Sequence, residues 1–153
     1  MADRSTFDHL LDVNRYGVIA TADRAGKPWA TPVFFAPLGA DRICWVSSPD
    51  ARHSRNIESR ADVAVTVFDS TVPVGGADAA YVEAEASRLP DDGITAALQA
   101  LNVRLPAHKQ LEADDLQPHG SLVVYAARVQ HRHLLVRGGD PDHGNAIDMR
   151  LEV

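Results

Sequence analysis

Residues 44–57 read "CWVSSPDARHSRNI" and hold the densest group of chemically useful side chains in the chain. Two serines, Ser47 and Ser48, close a run of apolar residues; Arg52, His53 and Arg55 follow within eight positions. Hydroxyls at the end of a strand and cations at the start of a helix are the parts of an anion cradle. The free backbone N–H groups and the positive end of the helix dipole attract negative charge, and arginine grips a phosphate with two donors at once. Residues 51–60, "ARHSRNIESR", carry three arginines against one glutamate. The chain as a whole has a formal net charge of −6, so this basic charge is local. A small anionic ligand fits it better than nucleic acid or an anionic membrane, which the overall charge repels. The alternative is a solvated basic helix whose arginines pair with the protein's own acids.

These residues need elements to hold them. Ser48, Pro49 and Asp50 have the makings of a helix start, so the pattern predicts a helix from about Pro49 to Ser59 with Ser48 as its cap. Only Ala51 and Ile57 are clearly apolar there, which predicts a helix near the surface. Upstream, "YGVIATADRAGKPWATPVFFAPLGADRICWVSS" contains three runs rich in Val, Ile, Phe, Trp and Thr, separated by "DRAG" and "LGAD". This predicts three antiparallel strands in a meander. Apolar residues of both parities in "TPVFFA" and "ICWV" require cover on both faces, which a second subunit would supply. Phe7, Leu10, Leu11 and Val13 have helical spacing and predict a short helix before Gly17.

Downstream, "ADVAVTVFDS" alternates as a fourth strand and "AYVEAEASRL" as a fifth, with Tyr81, Glu83 and Glu85 on one face. "DDGITAALQALNVRL" predicts a helix with Ile94, Ala97, Leu98 and Leu101 on one stripe. "SLVVYAARVQHRHLLVR" is long for one strand and reads as one bent strand or a hairpin, and "NAIDMRLEV" as a last short strand. The count favours a mainly β fold, a six- to seven-stranded antiparallel barrel with peripheral helices, over a parallel α/β sheet. With 153 residues, 45% of them hydrophobic, one domain over 1–153 is expected. One cysteine, Cys44, and an opening without a leader pattern predict a reducing, cytoplasmic location; the absence of a long apolar run predicts a soluble chain.

From Tyr16 to Arg88 this succession resembles the pyridoxamine 5′-phosphate oxidase-like superfamily of FMN-binding split barrels. The resemblance rests on a strand with a Pro-Val-aromatic centre, a strand ending in hydroxyls, a basic helix with Arg-Asn, a valine-rich strand ending in Phe-Asp, and a Val-Glu-x-Glu-Ala strand. It implies an FMN site. Ser47 takes the position of the strand-ending hydroxyl, and Arg52 and His53 that of an Arg-Lys pair around the phosphate; Ser48 anchors the phosphate with them, and Val46 and Arg55 are further cofactor-binding positions. Thr31, Pro32 and Val33 lie along the flavin ring, mostly through their backbone. Thr31 and Ala36 stand where oxidases proper often carry arginine and lysine. The segment with tryptophan and Arg-x-His that those enzymes have near the C-terminus has no counterpart in "GNAIDMRLEV". The resemblance therefore implies a flavin-dependent oxidoreductase of an unidentified small molecule, not a true pyridoxamine phosphate oxidase. Reductases using the deazaflavin coenzyme F-420 and non-catalytic flavin or haem binders are the alternatives. It also implies a homodimer with the flavin at the subunit interface.

Other chemistry-bearing residues carry less. Asp140, Asp142 and Glu152 imitate a calcium loop, but the glycine falls at the wrong position and a turn is the better reading. His131 and His133 share a strand face without a third metal ligand in sight, and read as exposed. No serine sits in a nucleophile elbow. Cys44 reads as inert core. The segment 102–120 is either a lid or a linker.

Overall fold

The computed structural model describes residues 2–153. Helix α1, Arg4–Val13, is capped by Asp3, whose carboxylate accepts from the Thr6 N–H at 2.9 Å. Strands β1 (Tyr16–Ala22) and β2 (Pro28–Phe34) form a hairpin. Its turn is set by the Asp23 carboxylate, which accepts from the N–H groups of Ala25 and Lys27, and by Gly26 at φ +84°. Strands β3 (Ala36–Leu38) and β4 (Arg42–Ser47) form a second hairpin. Helix α2, Arg52–Ser59, leads to β5 (Asp62–Phe68) and β6 (Ala79–Arg88). Helix α3 (Asp91–Val103), two short 3₁₀ turns, and strands β7 (Val123–Val136) and β8 (Met149–Glu152) complete the chain.

All strand pairs are antiparallel, in the order β2-β1-β5-β6-β7-β4-β3, with β8 on β7. Strands β2 and β3 adjoin in the chain yet stand at opposite ends of this order. The sheet therefore curls until its ends meet, the mainly β open barrel expected. The predicted meander is corrected at this point: its middle run breaks at Phe35, whose N–H turns to the Arg15 carbonyl. One half pairs with β1 and the other with β4, so β2 and β4 are not hydrogen-bonded neighbours. The same break raises the strand number to eight.

Inside the barrel lie Ile19, Phe35, Ile43, Trp45, Val65, Val67, Val82, Tyr125 and Leu134, with Phe7, Leu10 and Leu11 of α1 plugging one opening. Each large apolar side chain so buried contributes roughly 1.5–3 kcal/mol. Trp45 and Tyr125 stack with ring centroids 6.0 Å apart. Gly17 gives these side chains room: a Cβ there would come within 3.1 Å of Val65 and 3.2 Å of Val67, so both would have to shift. A second cluster, Ala36, Leu38, Cys44, Val124 and Ala126, is covered from outside by Ala97 and Leu101 of α3, with Ile94 and Leu98 at its margin.

Strand β7 is a single strand, resolving the choice between strand and hairpin. It carries a bulge at Gln130, the residue left without a partner between Val129↔Ala84 and His131↔Glu83. One edge of β7 serves β6 along its length; the other serves β4 and then β8. Arg104 joins α3 to α1. Its guanidinium donates to the carbonyls of Leu11, Asp12 and Asn14 and lies 5.2 Å from the centre of the Phe35 ring.

Candidate functional site

Strand β4 alternates, so Ile43, Trp45 and Ser47 face the barrel interior while Cys44 and Val46 face α3. Ser47 thus ends the interior row at the barrel rim, and α2 begins five residues later. The helix starts at Arg52, not at Pro49. Its N-cap is Ala51, without a side-chain bond, and Ser48 instead organises a turn. The Ser48 hydroxyl accepts the Asp50 N–H at 3.2 Å and the Ser48 carbonyl accepts the Ala51 N–H. The expected capping role of Ser48 is therefore wrong, because its oxygen is used one residue too early to reach the helix. The later start brings Arg52 and His53 into the first turn.

His53 reaches back across that turn. Its Nε2 lies 2.8 Å from Ser47 Oγ, a hydrogen bond whose direction follows the ring tautomer. Burial holds the imidazole below its ordinary pKa, so it is neutral at neutral pH. Arg52 lies over the indole of Trp29, with 4.5 Å from guanidinium carbon to ring centroid. Among the described residues nothing else binds its N–H groups. Arg55, by contrast, turns away and donates to the Asp50 carbonyl, bracing the 48–51 turn.

Helix α2 docks through polar atoms. Ser54 and Asn56 are buried beside Ile57, and Asn56 Nδ2 donates to Thr21 Oγ1 of β1 at 3.0 Å. The helix does lack a broad apolar face, but it is not merely laid on the surface. Its far end is tied by Glu58, which accepts from Arg88 Nε at 2.9 Å.

The structure thus joins Ser47 to His53, with Arg52 next to His53 in the first helical turn and Ser48 and Arg55 shaping the turn before it. Strand β2 meets them through Trp29, a residue the sequence reading passed over. On β2, Thr31 shares the face of Trp29, Pro32 lies on the opposite face, and Val33 is core. Val46 packs against the α3 cluster, so only its backbone faces the cradle. Ala36 is 1% exposed within the same cluster, where a lysine could not reach a ligand without leaving the core. The cradle therefore holds one arginine and one neutral histidine, a donor set suited to a phosphate or carboxylate. Two open clefts, of about 410 and 440 Å³, lie on other faces.

The remaining candidates resolve simply. Asp140 Oδ1 is occupied by the N–H groups of Asp142 and His143 and by the His143 ring. His131 Nδ1 is 2.8 Å from Glu152 Oε1, with the His133 ring stacked beside it. Among the described residues no group of three or more His, Cys, Asp or Glu is placed to hold a metal ion. Nor is any helix among them long and apolar enough to cross a membrane. The 102–120 segment is pinned by Asn102, whose side chain accepts the Leu111 N–H and donates to its carbonyl.

A curled antiparallel sheet of this order, with a short helix at its rim, is a split barrel. The family model described as pyridoxamine 5′-phosphate oxidase matches residues 5–133, and the chain belongs to that family. Three solved structures with the same fold carry different ligands in their names. The haem storage protein HutZ of Vibrio cholerae superposes with a TM-score of 0.70 at 17% identity, over 90% of this chain and 96% of that one. An FAD-binding protein of Mesorhizobium loti gives 0.68 at 18% identity, over 87% and 94%. An F-420 reductase gives 0.62 at 20% identity, over 86% and 98%. At such identities these likenesses establish the fold. A search of curated protein sequences finds no match.

Proposed function

We propose that the chain binds FMN, its phosphate held by Ser47, Arg52 and His53, and serves as a flavin-dependent oxidoreductase of a small molecule. The observation that carries this reading is the unspent N–H edge of Arg52, held over Trp29 in the same first turn of α2 from which His53 reaches Ser47. A phosphate there would meet a fixed cation, a hydroxyl, a ring nitrogen and the free N–H groups of the helix start. The flavin, when bound, supplies the electron transfer. The chain's own part is to bind and orient it: Arg52 and His53 at the phosphate, Ser48 and Arg55 keeping the turn in shape, and the Thr31–Val33 backbone beside the ring. The family match and the FAD-binding neighbour support this assignment.

The working form proposed is a homodimer with the flavin between subunits. Supporting it is the outer face of β1, β2 and β5. Ala20 pairs with Ala30 on one side and Ala64 on the other, and all three are exposed. Tyr16, 63% exposed, and Phe68, 42% exposed, border them, with Phe34 edge-on to Tyr16 at 6.0 Å. Apolar surface of this kind marks an association face.

A second reading is a deazaflavin-dependent reductase or a haem binder of the same fold. The loss of cations at Thr31 and Ala36 favours it, since it leaves the phosphate fewer partners. Titration of the purified protein with FMN, coenzyme F-420 and haemin separates the readings by absorbance and fluorescence. Saturation with FMN at one site per chain, on a dimer by sedimentation, is the expected result. Saturation only with F-420 or haemin would replace the FMN assignment.

A further inference from the structure

We infer that Trp29 is a positioning residue for Arg52, and that phosphate affinity at the cradle depends on its indole face. This rests on the flavin-phosphate reading above. Arg52 and Asn56 are one turn apart on α2 and so share a face. They touch two residues that are themselves paired in register across the β1–β2 hairpin, Trp29 and Thr21. Asn56 on Thr21 is the buried half of this double contact and fixes the helix on the sheet. Arg52 on Trp29 is the outer half, at the rim, where the indole is 39% exposed.

The stack has a specific chemical consequence. A guanidinium lying over a ring uses its flat face for the cation–π attraction and keeps its in-plane N–H donors free. Those donors are the ones a phosphate needs. A long side chain at a helix start otherwise loses rotamer freedom when it closes on a ligand, and a surface that holds it beforehand lowers that cost. Trp29 therefore acts on the ligand through Arg52.

The test compares wild type, Trp29→Phe, Trp29→Leu, Arg52→Ala and the Trp29→Leu/Arg52→Ala double variant. The probes are FMN and riboflavin, which has the same ring without phosphate, and each variant's thermal midpoint is recorded. The expected result is a rise in the FMN dissociation constant of about three- to tenfold in Trp29→Leu, largely rescued in Trp29→Phe. Riboflavin affinity stays unchanged, and the double variant is no weaker than Arg52→Ala alone. Wild-type FMN affinity in Trp29→Leu would overturn the inference, as would equal losses for FMN and riboflavin, or additive losses in the double variant. Wild type that binds FMN no better than riboflavin would instead remove the phosphate reading, and this inference with it.

Discussion

His53 Nε2 and Ser47 Oγ stand 2.8 Å apart, joining the first turn of α2 to the end of β4 across the mouth of the cradle. Burial lowers the His53 pKa, which fixes the sign of two pH effects. Without ligand, His53 binds fewer protons in the folded chain than in the unfolded chain below about pH 6.5. Its contribution to stability therefore falls as pH drops from about 6.5 through the lower folded value, and His53→Gln should remove that contribution from a denaturation series. With FMN, a phosphate beside the ring favours its protonation, so affinity should rise from about pH 8 to about pH 6 more steeply in wild type than in His53→Gln. Equal slopes would exclude His53 from the phosphate site.

Arg52 and Arg55 should separate by role. Removing a charge-assisted bond to phosphate costs about 1.5–3 kcal/mol, so Arg52→Ala should weaken FMN roughly tenfold to a hundredfold. Arg55 is spent on the Asp50 carbonyl, and Arg55→Ala should weaken FMN only a few-fold by loosening the turn. Flavin fluorescence titrations measure both.

The Asn56–Thr21 bond is buried. Asn56→Ala leaves the Thr21 hydroxyl without its donor and should destabilise the chain by about 1–3 kcal/mol in urea unfolding. Thr21→Val together with Asn56→Ala should cost less than the sum of the two single changes, because the double variant strands neither partner.

Cys44 is wholly buried between the barrel wall and α3, and desolvation pushes its thiol up to about 11. The native protein should resist thiol reagents at about pH 8 and react only on unfolding. Its labelling rate against denaturant should track the unfolding equilibrium; rapid labelling without denaturant would mean that α3 lifts easily.

His131 titrates in the opposite sense to His53. Its bond to Glu152 raises its pKa, so the pair supports folding below about pH 6.5 while Glu152 stays ionised. The contribution is lost as pH rises through the raised folded value. The pair is exposed, so added salt should weaken it. Histidine proton NMR should place His131 above, and His53 below, the ordinary value.

The sheet could be read from sequence wherever alternation was regular. Val63, Val65 and Val67 point inward as their spacing required, and Ala97 and Leu101 form the buried stripe of α3. The break at Phe35 was hidden because apolar residues run unbroken from Val33 through Ala36, and nothing local says that pairing partners change there. The helix start was misplaced because Ser48-Pro49-Asp50 suits a turn as well as a cap. Ser47, Arg52 and His53 could be grouped as a candidate site from sequence because their chemistry is concentrated in seven residues. Trp29 was missed because its meaning comes from an arginine 23 positions away, a contact made only when β2 lies under α2. Asn56 was missed for the same reason: amide and hydroxyl satisfy each other across the hairpin, which no hydropathy pattern records.

The sheet order also sets a schedule for folding. Only Phe35 separates β2 from β3, yet they occupy opposite ends of the order, and β7, far along the chain, must sit beside β4 before the ends can meet. Ring closure therefore waits on contacts of long sequence separation, which slows β-rich chains. The edges of β2 and β3, the terminal strands of the order, gain no strand partner even then, so pairing with other chains is a hazard that begins during synthesis.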